Sequence, residues 1–535
     1  MALARAIATV GGLTMVSRVL GFVRDILIAA VLGAGPIADA FFTAFRLPNL
    51  FRRLFAEGAF NAAFVPLFSR ALTGSDGASS EARRAAARLF AEDALAVLLT
   101  ALLVLLIVAE LFMPLLVSGL APGFLDAPAT FERAVTLSRI TFPYLVFMSL
   151  TALASGVLNG LGRFAAAAAA PVLLNVVLIA AMVGFADSAA TGAEALAWGV
   201  ALAGVLQFLW LARSLRQAGF ALRLPRPRLT PAVRRMLRLM APGAIGAGVM
   251  QINLVVGHLL ASLIGAGAIS WLYFADRLVQ LPLGVVGVAV GIALLPLLSR
   301  QVRSGDQAAA ADSQNRAIEM ALLLTLPATA ALLTIPGPMI AVLFERGAFA
   351  AADSRATTLA VMAYATGLPA FVVVKALAPG FFAREDTATP VKVAVAAMAA
   401  NLLLALALMA PLGHVGIALA TSLASWLNVA LLGGLLMRRG HWRPDGRLLR
   451  RTVRMIVASA VMSVGLVLAA AALDGWLAAP AGVRPVLALA LLVGLGGGLF
   501  AGLALACRAT SLQELRRQLA RPAKPATPAT EDTPP

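Results

Sequence analysis

Of the 535 residues, 61% are hydrophobic and only 13% charged, at a mean hydropathy of +0.91, which excludes an ordinary soluble globule. Long unbroken Ala/Leu/Val/Gly runs exclude the alternating strands of an outer-membrane barrel and leave an all-α polytopic membrane protein. The net charge of +18 sits in short loops, as expected beside anionic lipid and not of a nucleic-acid partner, and the single cysteine, Cys507, precludes an intramolecular disulfide.

Apolar segments of spanning length fall at about 8–33, 36–70, 85–118, 131–159, 165–185, 192–217, 230–263, 268–300, 313–344, 354–382, 389–410, 414–438, 450–473 and 481–507, which makes about 14 transmembrane helices. The first follows one early charge, Arg5, and is interrupted by Arg18 with no convincing cleavage site, so it reads as a retained span. Alternate loops differ in charge. Those at Leu32 to Pro36, Ser118 to Thr130, Phe185 to Glu194, Ile264 to Ala268 and Ala410 to His414 are short and cation-poor; the others hold arginine clusters such as Arg83, Arg84 and Arg88, or Arg438 to Arg451. The cation-rich set belongs inside, which places both termini in the cytoplasm.

A repeat runs through the first two thirds. LGAG at Leu32 to Gly35 returns as IGAG at Ile264 to Gly267, and IADAFFTAFRL (Ile37 to Leu47) aligns with AISWLYFADRL (Ala268 to Leu278) at an offset of 231 residues. An offset spanning six helices preserves orientation, so the halves are parallel-related. The expected organisation is two six-helix lobes plus two C-terminal helices. The N-terminal lobe is 1–217, a basic cytoplasmic linker 218–229, the C-terminal lobe 230–438, the extra helices 439–508 and the cytoplasmic tail 509–535, disordered toward its end.

The stretch from Ser17 to Arg70 carries Arg18, Arg24, Arg46, Arg52 and Arg53 within hydrocarbon-grade sequence. Each arginine at mid-bilayer depth costs roughly 2.5 to 3.5 kcal/mol unless it faces water or a partner, so the set marks a polar cavity whose natural guest is an anion. At about 100° per residue, Asp39, Arg46, Asn49, Arg53 and Glu57 share one stripe, and Pro48 shifts the phase enough to keep Arg52 in the same cavity. Arg18 and Asp25 share a face of the preceding helix. In the second half Asp276, Arg277 and Gln280 reach membrane depth, with Arg277 in the repeat position of Arg46. The competing reading is local: an Arg53/Glu57 i,i+4 pair and arginines that snorkel to headgroups. Cations outnumber carboxylates too far for that to absorb the whole set.

His258 reads as a hydrogen-bonded packing residue rather than a proton relay, Lys375 as a weak cavity candidate, and Asp386 as a cap or pin for a cytoplasmic loop. There is no phosphate-binding P-loop, HExxH or nucleophile elbow, so no enzyme is expected, and no metal site.

The runs SRVLGFVRD (Ser17 to Asp25), ADAFFTAFRLPNLFRRLFAEGAFNAAFVP (Ala38 to Pro66), WLYFADRL (Trp271 to Leu278) and LFERGAF (Leu343 to Phe349) are long and specific. With them the chain resembles the MurJ (MviN) lipid II flippases, in the multidrug/oligosaccharidyl-lipid/polysaccharide exporter superfamily. The resemblance implies alternating-access transfer of lipid II, an undecaprenyl-diphosphate-linked disaccharide pentapeptide, from the cytoplasmic to the periplasmic leaflet of the bacterial inner membrane for peptidoglycan synthesis. It also implies a groove for the polyprenyl tail formed with the last two helices. Functional positions carried over are Arg18, Arg24, Asp39, Arg52 and Arg277, with Ser17, Asp25, Arg53, Glu57 and Asp276 in support. Arg46 and Asn49 join them from the helical stripe.

Guanidinium forks suit a diphosphate, and Asp25, Asp39 and Glu57 are expected to hold the arginines while the cavity is empty. No cofactor is expected. Coupling to the membrane potential or to a monovalent cation is the expected driving force, although no full sodium-ligand set can be matched. Expected partners are lipid II, the bilayer and wall-synthesis proteins. The rival functions are a flippase for another polyprenyl-diphosphate glycan, a cation-coupled drug exporter of the same superfamily, and a membrane glycosyltransferase or scaffold.

Overall fold

The computed structural model describes residues 2–52, 60–74, 79–479 and 482–511, and among them every regular element is a helix. In chain order these are α1 (Ala2–Leu32), α2 (Pro36–Arg52), α3 (Phe60–Thr73), α4 (Ser80–Leu111) and α5 (Met113–Leu120). After the short turn Pro122–Asp126 come α6 (Pro128–Thr141), α7 (Tyr144–Gly160), α8 (Phe164–Phe185) and α9 (Ala189–Gln217). The second half holds α10 (Pro231–Ile264), α11 (Ala268–Arg303), α12 (Gln307–Thr334), α13 (Pro336–Phe344), α14 (Ala351–Ala365) and α15 (Leu368–Phe382). It continues through α16 (Ala388–Leu412), α17 (His414–Arg438), α18 (Gly446–Ala472), α19 (Asp474–Leu477) and α20 (Val483–Ala506).

Among the described residues, ten helical stretches are long and apolar enough to cross a membrane. Two of them, Pro128–Gly160 and Ala351–Phe382, are interrupted internally. Pro143, which has no N–H to donate, separates α6 from α7. Gly367 separates α14 from α15, and a Cβ there would lie 2.6 Å from Ser422 Oγ, so the missing side chain lets α17 approach. Exposed apolar residues such as Ile107 and Leu111 on α4, 60% and 70% accessible, form a surface that only lipid solvates well.

The chain divides into two compact units. The first contains 1–281, 336–368 and 388–428, and the second 282–335, 369–387 and 429–535. In the first, Phe60, Phe64 and Phe68 stack along α3 at 5.0 and 5.5 Å, an i,i+4 ladder that also meets Phe90 of α4. Phe220, Val233 and Met236 are buried in the same core. The basic linker is therefore anchored: Glu92 accepts from Arg88 Nε at 3.0 Å and from the Arg223 backbone N–H at 2.9 Å. In the second unit α12, α18 and α20 pack together, with Gly465 and Gly496 giving room to Leu499 and Leu466. Asp386 pins its loop by pairing with Arg439 at 2.6 Å, as the sequence leads one to expect.

Candidate anion site in the first unit

The site grows from the ends of α1, α2 and α11. Gly33 and Gly347 both take left-handed φ, +67° and +58°, and the loop after α13 closes on α1 through Ala348 N–H to the Ala30 carbonyl at 2.8 Å. A Cβ on Gly347 would stand 2.2 Å from the Ala30 carbonyl oxygen, which explains the glycine in LFERGAF. Around this seam Phe274 packs on Phe42, Phe344 and Phe349.

Within that apolar collar lies a charged cluster. Arg24 donates through Nε and Nη2 to Asp25 Oδ1 at 3.0 and 2.7 Å, and through Nη1 to Asn175 Oδ1 of α8 at 3.0 Å. Asn175 in turn donates to the Ser17 carbonyl at 2.9 Å. From α11, Tyr273 donates to Asp25 Oδ1 at 3.0 Å, and Arg277 pairs with Asp25 Oδ2 at 3.2 Å while lying over the Tyr273 ring at 4.8 Å. Arg24 and Asp25 are 7% and 2% exposed, so this is one buried carboxylate gripped by two guanidiniums and a phenol. Removing a partner from such a group strands a charge in low dielectric.

Asp39 does something different from the expectation. Its carboxylate accepts from Gly267 N–H at 2.6 Å, Ser270 N–H at 2.9 Å and Ser270 Oγ at 2.6 Å, and it is 1% exposed. It therefore caps the N-terminus of α11 and, in this conformation, holds no arginine, because the free N–H groups and positive end of a helix already satisfy it. Asp39 and Ser270 are repeat equivalents, 231 residues apart, and Phe42 stacks on its own equivalent, Tyr273, at 4.0 Å. Equivalent positions touch where two copies meet across a symmetry axis, so α2 and α11 pack against each other about that local axis.

The remaining expected residues spread outward. Arg46 contacts His258 Nδ1 of α10 at 3.1 Å, and Asn49 Nδ2 returns to the Phe45 carbonyl at 2.7 Å. Arg52 is half-buried at the end of α2, Arg18 is exposed, Ser17 is half-buried under Asn175, and Asp276 accepts from Gln280. Arg53 and Glu57 lie outside the described residues, as does the tail from 512 onward. Lys375 is exposed on α15, in the second unit. Sequence reasoning missed Asn175; its signal was a lone amide within the apolar run Phe164 to Phe185.

Among these described residues the arginines are 18, 24, 46, 52 and 277, against Asp25, Asp39 and Asp276. With Asp39 spent on a helix end, the balance tilts further toward cations. The surface clefts of about 550 and 340 Å³ lie along the end of α9, lined by residues such as Arg213 and Gln217, and contain none of this set.

The family described as "Lipid II flippase MurJ" matches residues 28–479. A "Probable lipid II flippase MurJ" from Rhizobium meliloti (strain 1021) is 46% identical over 535 residues, 98% of this chain and 97% of that protein. One from Rhizobium tropici is 50% identical over 469 residues, 86% of each. Among solved structures, "Lipid II flippase MurJ, inward closed conformation" aligns at a TM-score of 0.76 with 24% identity, covering 96% of this chain and 99% of that one. An inward-facing MATE family transporter of the MOP superfamily aligns at 0.63 with 18% identity, covering 82% of this chain and 98% of that one. Both structural likenesses speak to the fold.

Proposed function

The chain belongs to the lipid II flippase MurJ family, and we propose that it carries lipid II from the cytoplasmic to the periplasmic leaflet by alternating access. The observation that carries this reading is the excess of guanidinium around the buried Asp25: buried Arg24 and half-buried Arg277 share one carboxylate, in helices otherwise suited to lipid. A diphosphate supplies the multiple anionic oxygens that such forks bind bidentately, and in a low-dielectric site it competes with Asp25 for them. Exchange of Asp25 for diphosphate then loosens the contact between α1 and α11. Lipophilic cations would find the opposite field, which disfavours a drug exporter of the same superfamily.

The accompanying architecture is fourteen spans, with α1, the α2–α3 region, α10 and α11 added to the ten apolar stretches. They are arranged as lobes 1–217 and 230–438 with two further helices, both termini cytoplasmic, in the bacterial inner membrane. A net-positive empty site is reset toward the cytoplasm by the membrane potential, at about 2.3 kcal/mol per elementary charge per 100 mV. Unchanged transport in depolarised vesicles removes that driving force.

The deciding experiment measures leaflet accessibility of lipid II in cells depleted of this protein and rescued by wild type or by Arg24→Ala. Rescue by wild type alone supports the reading. Normal exposure without the protein, in cells lacking a substitute flippase, overturns it and makes another polyprenyl-diphosphate glycan the substrate.

A further inference from the structure

Tyr273 is the neutral member of the Asp25 cluster, and its hydrogen bonds run in one direction. A guanidinium can only donate, so the phenol oxygen accepts from Arg277 Nη2 at 3.1 Å and its own proton is left for Asp25 Oδ1 at 3.0 Å. Three neighbours hold the ring: Phe42 stacks on it at 4.0 Å, the Arg277 guanidinium lies over it at 4.8 Å, and Phe274 meets it edge-on at 5.5 Å. The hydroxyl therefore keeps its aim. Packing does not require it, because Phe42 fills the equivalent position of the first repeat with a bare ring.

The carboxylate that the phenol faces is crowded. Asp25 Oδ1 takes Arg24 Nε at 3.0 Å, Arg24 Nη2 at 2.7 Å and the phenol, three donors where a carboxylate oxygen offers about two lone-pair sites. Oδ2 lies 3.2 Å from Arg277 Nε, yet that buried Nε makes no hydrogen bond. Donors thus outnumber the well-placed acceptor sites, and a diphosphate, with non-bridging oxygens on both phosphorus atoms, supplies what one carboxylate cannot. When it displaces Asp25, the phenol loses its acceptor. A donor left unmade away from water costs more than a made one gains, so the hydrogen bond has to pass to whatever takes the place of the carboxylate.

We propose that the Tyr273 hydroxyl is a further substrate contact, the neutral donor that passes from Asp25 to a non-bridging oxygen of the substrate diphosphate while its ring keeps Arg277 in place. This rests on the flippase reading for the identity of the substrate, whereas the transfer of one phenol from carboxylate to phosphate stands on the geometry of the cluster. α11 then brings a matched pair to the anion, Tyr273 and Arg277 one turn apart, and Asp25 on α1 is free to part from both.

The test uses the full chain in lipid vesicles and measures binding of inorganic diphosphate, and binding and translocation of lipid II, for wild type, Tyr273→Phe, Asp25→Ala and the double variant. Tyr273→Phe keeps the ring, with its stack on Phe42 and its face under Arg277, and removes the hydroxyl alone. In the wild-type background it takes one hydrogen bond from the free protein and one from the complex, so affinity for both probes should stay within about threefold. With Asp25→Ala in place the free protein has no carboxylate for the phenol. Removing the hydroxyl should then weaken both probes by about tenfold or more, the worth of a hydrogen bond to a charged group. Equal affinity of Asp25→Ala with and without the hydroxyl, or a gain of about tenfold from Tyr273→Phe alone, assigns the phenol to Asp25 only and overturns the proposal. Should Asp25→Ala fail to fold, Asp25→Asn replaces it in the cycle; its neutral amide oxygen is a weaker acceptor, so the expected loss is about threefold to tenfold, and no loss again overturns the proposal. If wild type neither binds nor moves lipid II while the diphosphate cycle runs as expected, the flippase reading fails and the contact between phenol and phosphate survives.

Discussion

Asp25 and Glu319 are both buried carboxylates met by several arginines, and they sit in different compact units. Glu319 on α12 receives Arg316 from its own helix and Arg447 and Arg451 from α18, while Asp445 and Asp312 take further bonds from Arg316. Asn315 adds neutral bonds to the Arg443 carbonyl at 3.1 Å and from Trp442 at 2.8 Å. Three carboxylates for three arginines, at the edge of a cation-rich loop where Arg447 keeps 43% of its side chain in solvent, make a staple. Asp25 instead is the one carboxylate that meets Arg24 of its own helix and Arg277 of α11, with the Tyr273 hydroxyl beside them, so the bonds from Arg277 and Tyr273 run between helices of the two sequence repeats. The two clusters thus differ in balance: three carboxylates meet three arginines around Glu319, whereas one carboxylate meets two at Asp25.

The sharpest break is Asp25→Asn. Losing the carboxylate strands Arg24 and Arg277, a cost of about 3–5 kcal/mol to the contact between α1 and α11. Spin-label distances between those helices should widen and lipid II transport should fall by more than about a hundredfold. An unchanged distance distribution refutes the idea that Asp25 holds the seam closed.

Glu319→Gln tests the staple. It should lower thermal stability by about 1–3 kcal/mol, discounted because the cluster is partly solvated, while leaving diphosphate affinity within twofold. A loss of affinity as large as that of Asp25→Asn would erase the distinction between the two regions.

Asn175→Ala removes the bonds to Arg24 and to the Ser17 carbonyl and is expected to cost about 1.5–3 kcal/mol as a lost charged hydrogen bond, less where water replaces the amide. Its effect should be non-additive with Asp25→Asn, since both act on one guanidinium; additive losses in a double-mutant cycle would separate them.

Arg18→Ala is the mildest in stability, within about 0.5 kcal/mol for an exposed side chain, but it should weaken diphosphate binding. Equal affinity in a direct binding assay takes Arg18 out of the site.

Arg24, Arg46 and Arg277 could be picked out from sequence because arginine in apolar sequence violates the solvent's own chemistry, and that violation is local. Their partners could not. Helical phase puts Asp39 and Arg46 on one stripe, but phase within a helix says nothing about what an adjacent helix presents, and Asp39 found two backbone N–H groups and a hydroxyl at the head of α11. The repeat offset held the clue: it aligns Asp39 with Ser270, and those are the residues that touch. Likewise the extra breaks at Pro143 and Gly367 divide expected single spans, one from a missing donor and the other from a close approach that only the neighbouring helix imposes.

By itself the sequence determined that this chain is an all-helical membrane protein, that it is internally repeated, and that it places more arginines than carboxylates in the apolar stretch from Ser17 to Arg70. Those are properties of composition and period. Tertiary structure alone decided which carboxylate answers which arginine, that Asn175 braces Arg24 across 151 residues, and that His258 meets Arg46 across 212. The reason is geometric: charge cost is set by the residue and its solvent, whereas pairing is set by which helices come within about three ångströms of each other, and chain separation does not encode that distance.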